Sequence, residues 1–318
     1  MSTEAPLRTH RIFPALIAVC ALATGAVPGA QAQKPTMEGY PVLGAPPIVT
    51  LVTPGSASRK QLRYAIPAAQ KSRLEMAMTM AMTMNMAGMP VPMNLPVMRM
   101  SIDLAVTSVA PNGDISYDLE FTGVTVDGSA GDPIAAAMQT AAAGITGIRG
   151  AATVTSRGVP KSAKIATESV TDPQIRQIFS QMSSSIENLS MPFPEDAVGP
   201  GARWEVRQTI SANGLVLFQK ADFDLVSVDG PAVTLKVKTE QTAPPQPISN
   251  PGLPEGAETS LERLSGAGTG TVVIRLDSLV PTSELDSTTS TVMTINMGGQ
   301  TQSVSVDGTT KLTIKAGK

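Results

Sequence analysis

Histidine and cysteine are almost missing from this chain, one of each in 318 residues, at His10 and Cys20. Both fall inside a stretch that reads as a cleavable secretory signal. Arg8 and Arg11 precede an apolar run from Ile12 to about Val27, and Ala30-Gln31-Ala32 is a small-x-small cleavage site before Gln33. Cys20 follows Val19 in the middle of that run, so it is read as part of the discarded peptide and not as a lipid attachment point. The chain expected after cleavage behind Ala32 has neither residue. It can form no disulfide, no thiolate nucleophile, no Ser-His pair and no conventional zinc site.

Aromatic residues are equally sparse at 3% of the chain, with a single tryptophan, Trp204. That leaves little material for a sugar-stacking platform. Charge of one sign is also lacking: 24 Lys and Arg stand against 26 Asp and Glu. Losing Arg8, Arg11 and Glu4 with the signal leaves 22 basic and 25 acidic groups, with no basic excess to attract nucleic acid. Beyond the signal, no apolar run approaches the roughly 18 residues of a transmembrane helix. The expectation is a periplasmic or secreted protein without nucleic-acid partner, cofactor or metal, and not an enzyme. Its expected parts are a signal peptide (1–32), a flexible Pro/Gly-rich leader (33–58) and one β-rich domain (59–318).

What the sequence does have is strand periodicity. Met76, Met78, Met80, Met82, Met84 and Met86 occupy every second position, separated by Ala77, Thr79, Ala81, Thr83 and Asn85. A strict period of two predicts a strand with one apolar face. Gly88 to Pro96 reads as a turn, after which Val97–Leu104 resumes the alternation. Pro111-Asn112-Gly113-Asp114 is a tight-turn signature leading into Ile115–Val126, where Tyr117, Leu119 and Phe121 share a face. Ser211-Ala212-Asn213-Gly214 and Met297-Gly298-Gly299-Gln300 are further hairpin turns between alternating segments.

Two helices are predicted, each opened by Asp-Pro, a capping residue followed by proline at the first helical position. The first, about 133–146, is apolar all round, as a buried helix would be. The second, about 173–189, carries Ile175, Ile178, Phe179, Met182, Ile186 and Leu189 along one stripe. The fold expected is α+β and mainly β: a large curved, half-barrel-like antiparallel sheet of about ten to twelve strands packed on two helices.

Few residues invite chemistry. Asp222 and Asp224 share a strand face, a pattern that serves acid–base work in glycosidases but is equally that of a solvated surface. Gly266-Ala267-Gly268-Thr269-Gly270 precedes a strand, the wrong side for a phosphate loop, and reads as a flexible lead-in. The six methionines are read three ways: a packed core face, the wall of an adaptable cavity for a greasy ligand, or thioether ligands for copper(I). Met76, Met78, Met80, Met82, Met84, Met86 and Trp204 are the candidate ligand-lining residues, and Met89 and Met93 are the better thioether candidates.

The methionine-alternating strand, the Arg157-Gly158 turn and the segment Pro192 to Trp204 resemble a family of functionally uncharacterised bacterial exported proteins, over roughly residues 60–316. The expected curved sheet is also similar to the periplasmic lipoprotein-carrier fold. That likeness implies an apolar molecule or lipid as partner, held on a concave sheet face. The alternatives are a structural or interaction module of the cell envelope without ligand, and methionine-based copper binding or oxidant scavenging.

Overall fold

The computed structural model describes residues 35–86, 88–129, 131–166, 191–212, 214–248, 258–297 and 300–317. The signal segment 1–32 and the helix expected at 173–189 lie outside the described residues. Within them the chain is nearly all strand. An edge strand β1 (Ile48–Thr53) comes first, then a meander of β2 (Lys71–Met86), β3 (Met89–Val109), β4 (Ile115–Asp127), β5 (Arg149–Val154) and β6 (Pro160–Ile165). A second meander follows with β7 (Arg203–Ala212), β8 (Leu215–Asp229), β9 (Ala232–Ala243), the short β10 (Gln246–Ile248), β11 (Glu258–Arg275), β12 (Thr282–Met297) and β13 (Gln300–Ala316). Pairing of β13 with β2 joins the two meanders into one antiparallel sheet, ordered β1-β7-β8-β9-β11-β12-β13-β2-β3-β4-β5-β6, with β10 attached to β11.

The period of two sorts the sheet into an apolar inner and a charged outer face. Phe223 and Leu225 of β8 are buried, whereas Asp222 and Asp224 pair with Lys220 (3.1 Å) and Arg203 (3.6 Å) on the other side. Leu235 and Val237 of β9 are likewise buried while Lys238 bonds to Glu240 outside. The inner residues form clusters, the largest built around Trp204, Phe193, Phe223, Leu62, Leu235 and Ile274. A second holds Leu74, Leu119, Phe121 and Ile314.

The sheet is curled. The Tyr64 N–H donates to Ser156 O between β5 and β6 (2.7 Å), and the next residue's N–H donates to Leu276 O just after β11 (2.7 Å). Those positions stand far apart in strand order, so one extended segment bridges an end of the curl. Residues 191–202 complete this plug: Lys60 and Val198 exchange backbone hydrogen bonds at 3.0 Å. The Arg63 guanidinium donates to the carbonyls of Pro194 (3.0 Å) and Glu195 (2.7 Å), and Arg157 Nε donates to Phe193 O (3.0 Å).

The expectation of a sheet packed on two helices is corrected. One short helix is present among the described residues, α1 (Pro133–Ala143), capped by Asp132, whose carboxylate accepts from the N–H groups of Ile134 (2.9 Å) and Ala135 (3.2 Å). It is not buried all round. Ala135 and Ala142 are buried, Ile134 and Met138 half-buried, and most of the rest exposed. A helix of alanines has little side-chain surface to drive it into a core, and α1 rests on β4 and β3, fixed by Gln139 to the backbone of Val126 (2.8 Å). Among the described residues the interior is lined by the sheet's own inner face and the plug.

Three local expectations also change. Residues 33–58, read as a flexible leader, contain β1, which pairs with β7. Gly266–Gly270 lies inside β11, paired on both sides, and a Cβ on Gly268 would stand 2.7 Å from Thr239 Oγ1, so glycine permits the close approach of β9. Residues 89–96 are the first part of β3, not a turn. Pro90 and Pro92 oppose Asn85 and Thr83 of β2, while β4 joins β3 only from Val97 onward. Alternate residues turn their N–H groups to opposite edges, so these prolines withdraw donors from the free edge without breaking the ladder to β2.

Candidate ligand cavity

Between the two halves of the curl the inner face lines a partly open cavity of about 270 Å3. Its wall is drawn from nearly every long strand: Leu74 of β2, Ile102 of β3, Leu119 and Phe121 of β4, Phe223 of β8, Ile274 of β11 and Leu312 of β13. None of the described lining residues carries a charge. The polar groups that reach it are few. Gln208 and Gln219 face each other across β7 and β8, and Gln208 Nε2 donates to Gln219 Oε1 at 2.5 Å. Thr239 and Ser283 add hydroxyls, and Tyr64 and Tyr117 contribute phenols from the plug side. Burial pushes the Tyr64 hydroxyl well above its ordinary value, with Tyr117 adding to the effect. Burial raises Tyr117 in the same direction. Both phenols therefore stay protonated.

Ser283 is the least satisfied of these groups. It is 3% exposed, and its hydroxyl has no hydrogen-bond partner among the described residues. The reason is its register: its directly opposed neighbours are Val272 on β11 and Ile314 on β13, and neither side chain offers an acceptor. A buried hydroxyl left unpaired costs about 1–3 kcal/mol.

None of the seven expected ligand-lining residues is part of this wall among the described residues. Trp204 is 2% exposed, one layer behind it, stacked on the lining Phe223 (centroids 5.4 Å apart, planes at 11°) with Nε1 donating to Pro192 O at 3.2 Å. The methionine row lies on the same face of β2 as Leu74 but runs away from the cavity toward the β2–β3 hairpin. Met84 is buried, and Met76, Met78, Met80, Met82 and Met86 are half-buried. Across the ladder Met76 opposes Met100, Met78 opposes Met98, Met82 opposes Met93 and Met86 opposes Met89. Met76 packs against the cluster of Leu74 and Phe121, so the row extends the cavity's apolar face. On the outer face two open troughs of about 520 and 470 Å3 cross β11, β12, β13 and β2, lined mainly by threonine, serine and alanine.

Asp222 and Asp224 belong to the charged outer face. Lys220 hydrogen-bonds to Asp222 and to Glu205, which together raise its pKa. Among the described residues no group of three or more His, Cys, Asp or Glu could hold a metal ion, and no helix is long and apolar enough to cross a membrane. Comparison with models of known protein families and with curated proteins finds no match.

The glutamine pair and Ser283 were not singled out by the sequence reading. A signal for the former exists: Gln208 interrupts Val206-x-x-x-Ile210 and Gln219 interrupts Leu217-x-x-x-Ala221, each a polar residue on an apolar face.

Proposed function

We propose that this protein is an exported, non-catalytic binding protein that holds one small apolar molecule inside the curled sheet. The cavity carries the reading: a wall of aliphatic and aromatic side chains with a few convergent polar groups is the usual composition of a small-molecule site. Its polar groups suit orientation better than proton transfer, because neutral glutamines and phenols held protonated provide no base near neutral pH. The signal-like N-terminus supports a periplasmic or extracellular destination, and the resemblance to exported bacterial proteins belongs to the same proposal.

The test is titration of the purified protein with 1-octanol, followed through Trp204, whose ring is stacked on the lining Phe223. A saturable change with one site per chain is expected. Ala221, half-buried in the wall, offers the control. Ala221→Leu fills part of the cavity and should weaken binding at least tenfold in protein that still melts cooperatively. A non-saturating response, or equal affinity in the filled variant, overturns the reading.

A further inference from the structure

We infer that Met86 and Met89, the pair that closes the β2–β3 hairpin, hold one soft monovalent cation of the copper(I) class between their thioether sulfurs. The site lies apart from the cavity, and the inference does not depend on the binding reading above.

Register supplies the geometry. Neighbouring methionines on one face of β2 stand about 6.6–6.8 Å apart along the strand, too far for two sulfurs to meet easily. Across the ladder the spacing is shorter, because directly opposed residues have Cβ atoms about 4.5–5.5 Å apart. Met76–Met100, Met78–Met98, Met82–Met93 and Met86–Met89 are opposed in this way. Methionine is unbranched with three rotatable bonds, so two opposed sulfurs can converge on one ion. Exposure separates the pairs. Met76 and Met100 pack against the cluster of Leu74 and Phe121, and the first three pairs are all half-buried. Met89 is 68% exposed, so packing does not account for it. It stands on the part of β3 that β4 does not reach, and on the other side of Met86 the next strand presents Val304. An ion can therefore reach the pair from solvent. Charge decides the class of ion. Residues 76–98 contain no Asp, Glu, Lys, Arg or His, and neither do residues 287–306 of the neighbouring hairpin. A hard divalent ion finds no carboxylate or imidazole there, and no cation repels a soft one. Thioethers are soft donors and suit copper(I). Met84, on the same face of β2, is 4% exposed and takes no part.

The experiment titrates the full chain with copper(I), kept reduced under anaerobic conditions and buffered by bicinchoninate. His10→Gln and Cys20→Ser are present throughout, so that methionine supplies the only soft donors. One ion per chain is expected, and a tenfold excess of zinc(II) should not displace it. Met86→Leu combined with Met89→Leu should weaken binding at least tenfold. Met76→Leu combined with Met100→Leu should leave it unchanged, and both variants nearly conserve volume and should still melt cooperatively. X-ray absorption of the loaded parent should show sulfur bound to copper. Equal loss in the two double variants, or full binding in Met86→Leu with Met89→Leu, overturns the site. Displacement by zinc(II), or a shell of nitrogen or oxygen alone, overturns the soft class. Absence of saturation at one ion per chain overturns the inference as a whole. None of these results bears on the cavity, so the two proposals fail separately.

Discussion

Tyr64 carries a consequence that alkaline titration can read. Its folded-state pKa lies above the ordinary value near 10 because burial disfavours the phenolate. The group therefore supports the folded state fully below about pH 10 and loses that contribution as pH climbs toward the raised value. Denaturant midpoints should fall steeply from about pH 10 upward, and Tyr64→Phe should flatten the fall. An identical alkaline profile in the variant would mean that the phenol is not buried as described. A second residue-scale prediction concerns the methionine row. Met84 is 4% exposed, so Met84→Asp buries a charge without a partner and should cost several kcal/mol. Thr79 is exposed, and Thr79→Asp should stay within about ±0.5 kcal/mol. Met80→Leu nearly conserves volume and should cost less than about 1.5 kcal/mol. Equal melting of the two aspartate variants would deny the two-faced strand. At this scale the sequence was partly legible. The alternation of Tyr117, Leu119 and Phe121 named three lining residues as one face, though not as a cavity wall. Ser283 could not be found that way, because its isolation depends on Val272 and Ile314 arriving from two other strands.

Among the elements, β3 shows how composition misleads. Three prolines between residues 90 and 96 read as a turn, because proline normally interrupts a ladder. They are tolerated here since β4 does not reach that part of β3 and the missing donors face an open edge. Such prolines also guard the edge against pairing with another chain. Pro90→Thr combined with Pro92→Thr restores two donors and should increase concentration-dependent association in sedimentation velocity relative to the parent. No change in sedimentation would argue against an open edge there. The glycines of β11 were misread for the opposite reason: Gly268 marks close approach of β9, not flexibility. Helix α1 was located correctly at its start by Asp132-Pro133, but its burial was overestimated. An unbroken apolar composition does not distinguish large side chains from alanine, and alanine gives little area to bury.

For the whole molecule, the sequence carried one large antiparallel sheet, since periodicity and turn residues are local signals, but not its 13 strands, and the expected α+β packing on two helices is contradicted. Nor did the sequence carry the closure. The pairing of β13 with β2, and the contacts of the plug segment around Tyr64 with Val198 and Leu276, join residues more than a hundred positions apart. Curling is what turns an apolar face into a cavity, so the candidate site was the least legible part of the protein. The central claim is that this interior, and not the methionine row, receives the ligand. The most direct measurement is a crystal structure of the protein soaked with 8-bromo-1-octanol, phased on the bromine signal. The account predicts one bromine peak inside the wall formed by Leu119, Ile274 and Leu312. A peak along Met80–Met86, or a dry and unoccupied interior at saturating probe, would contradict it.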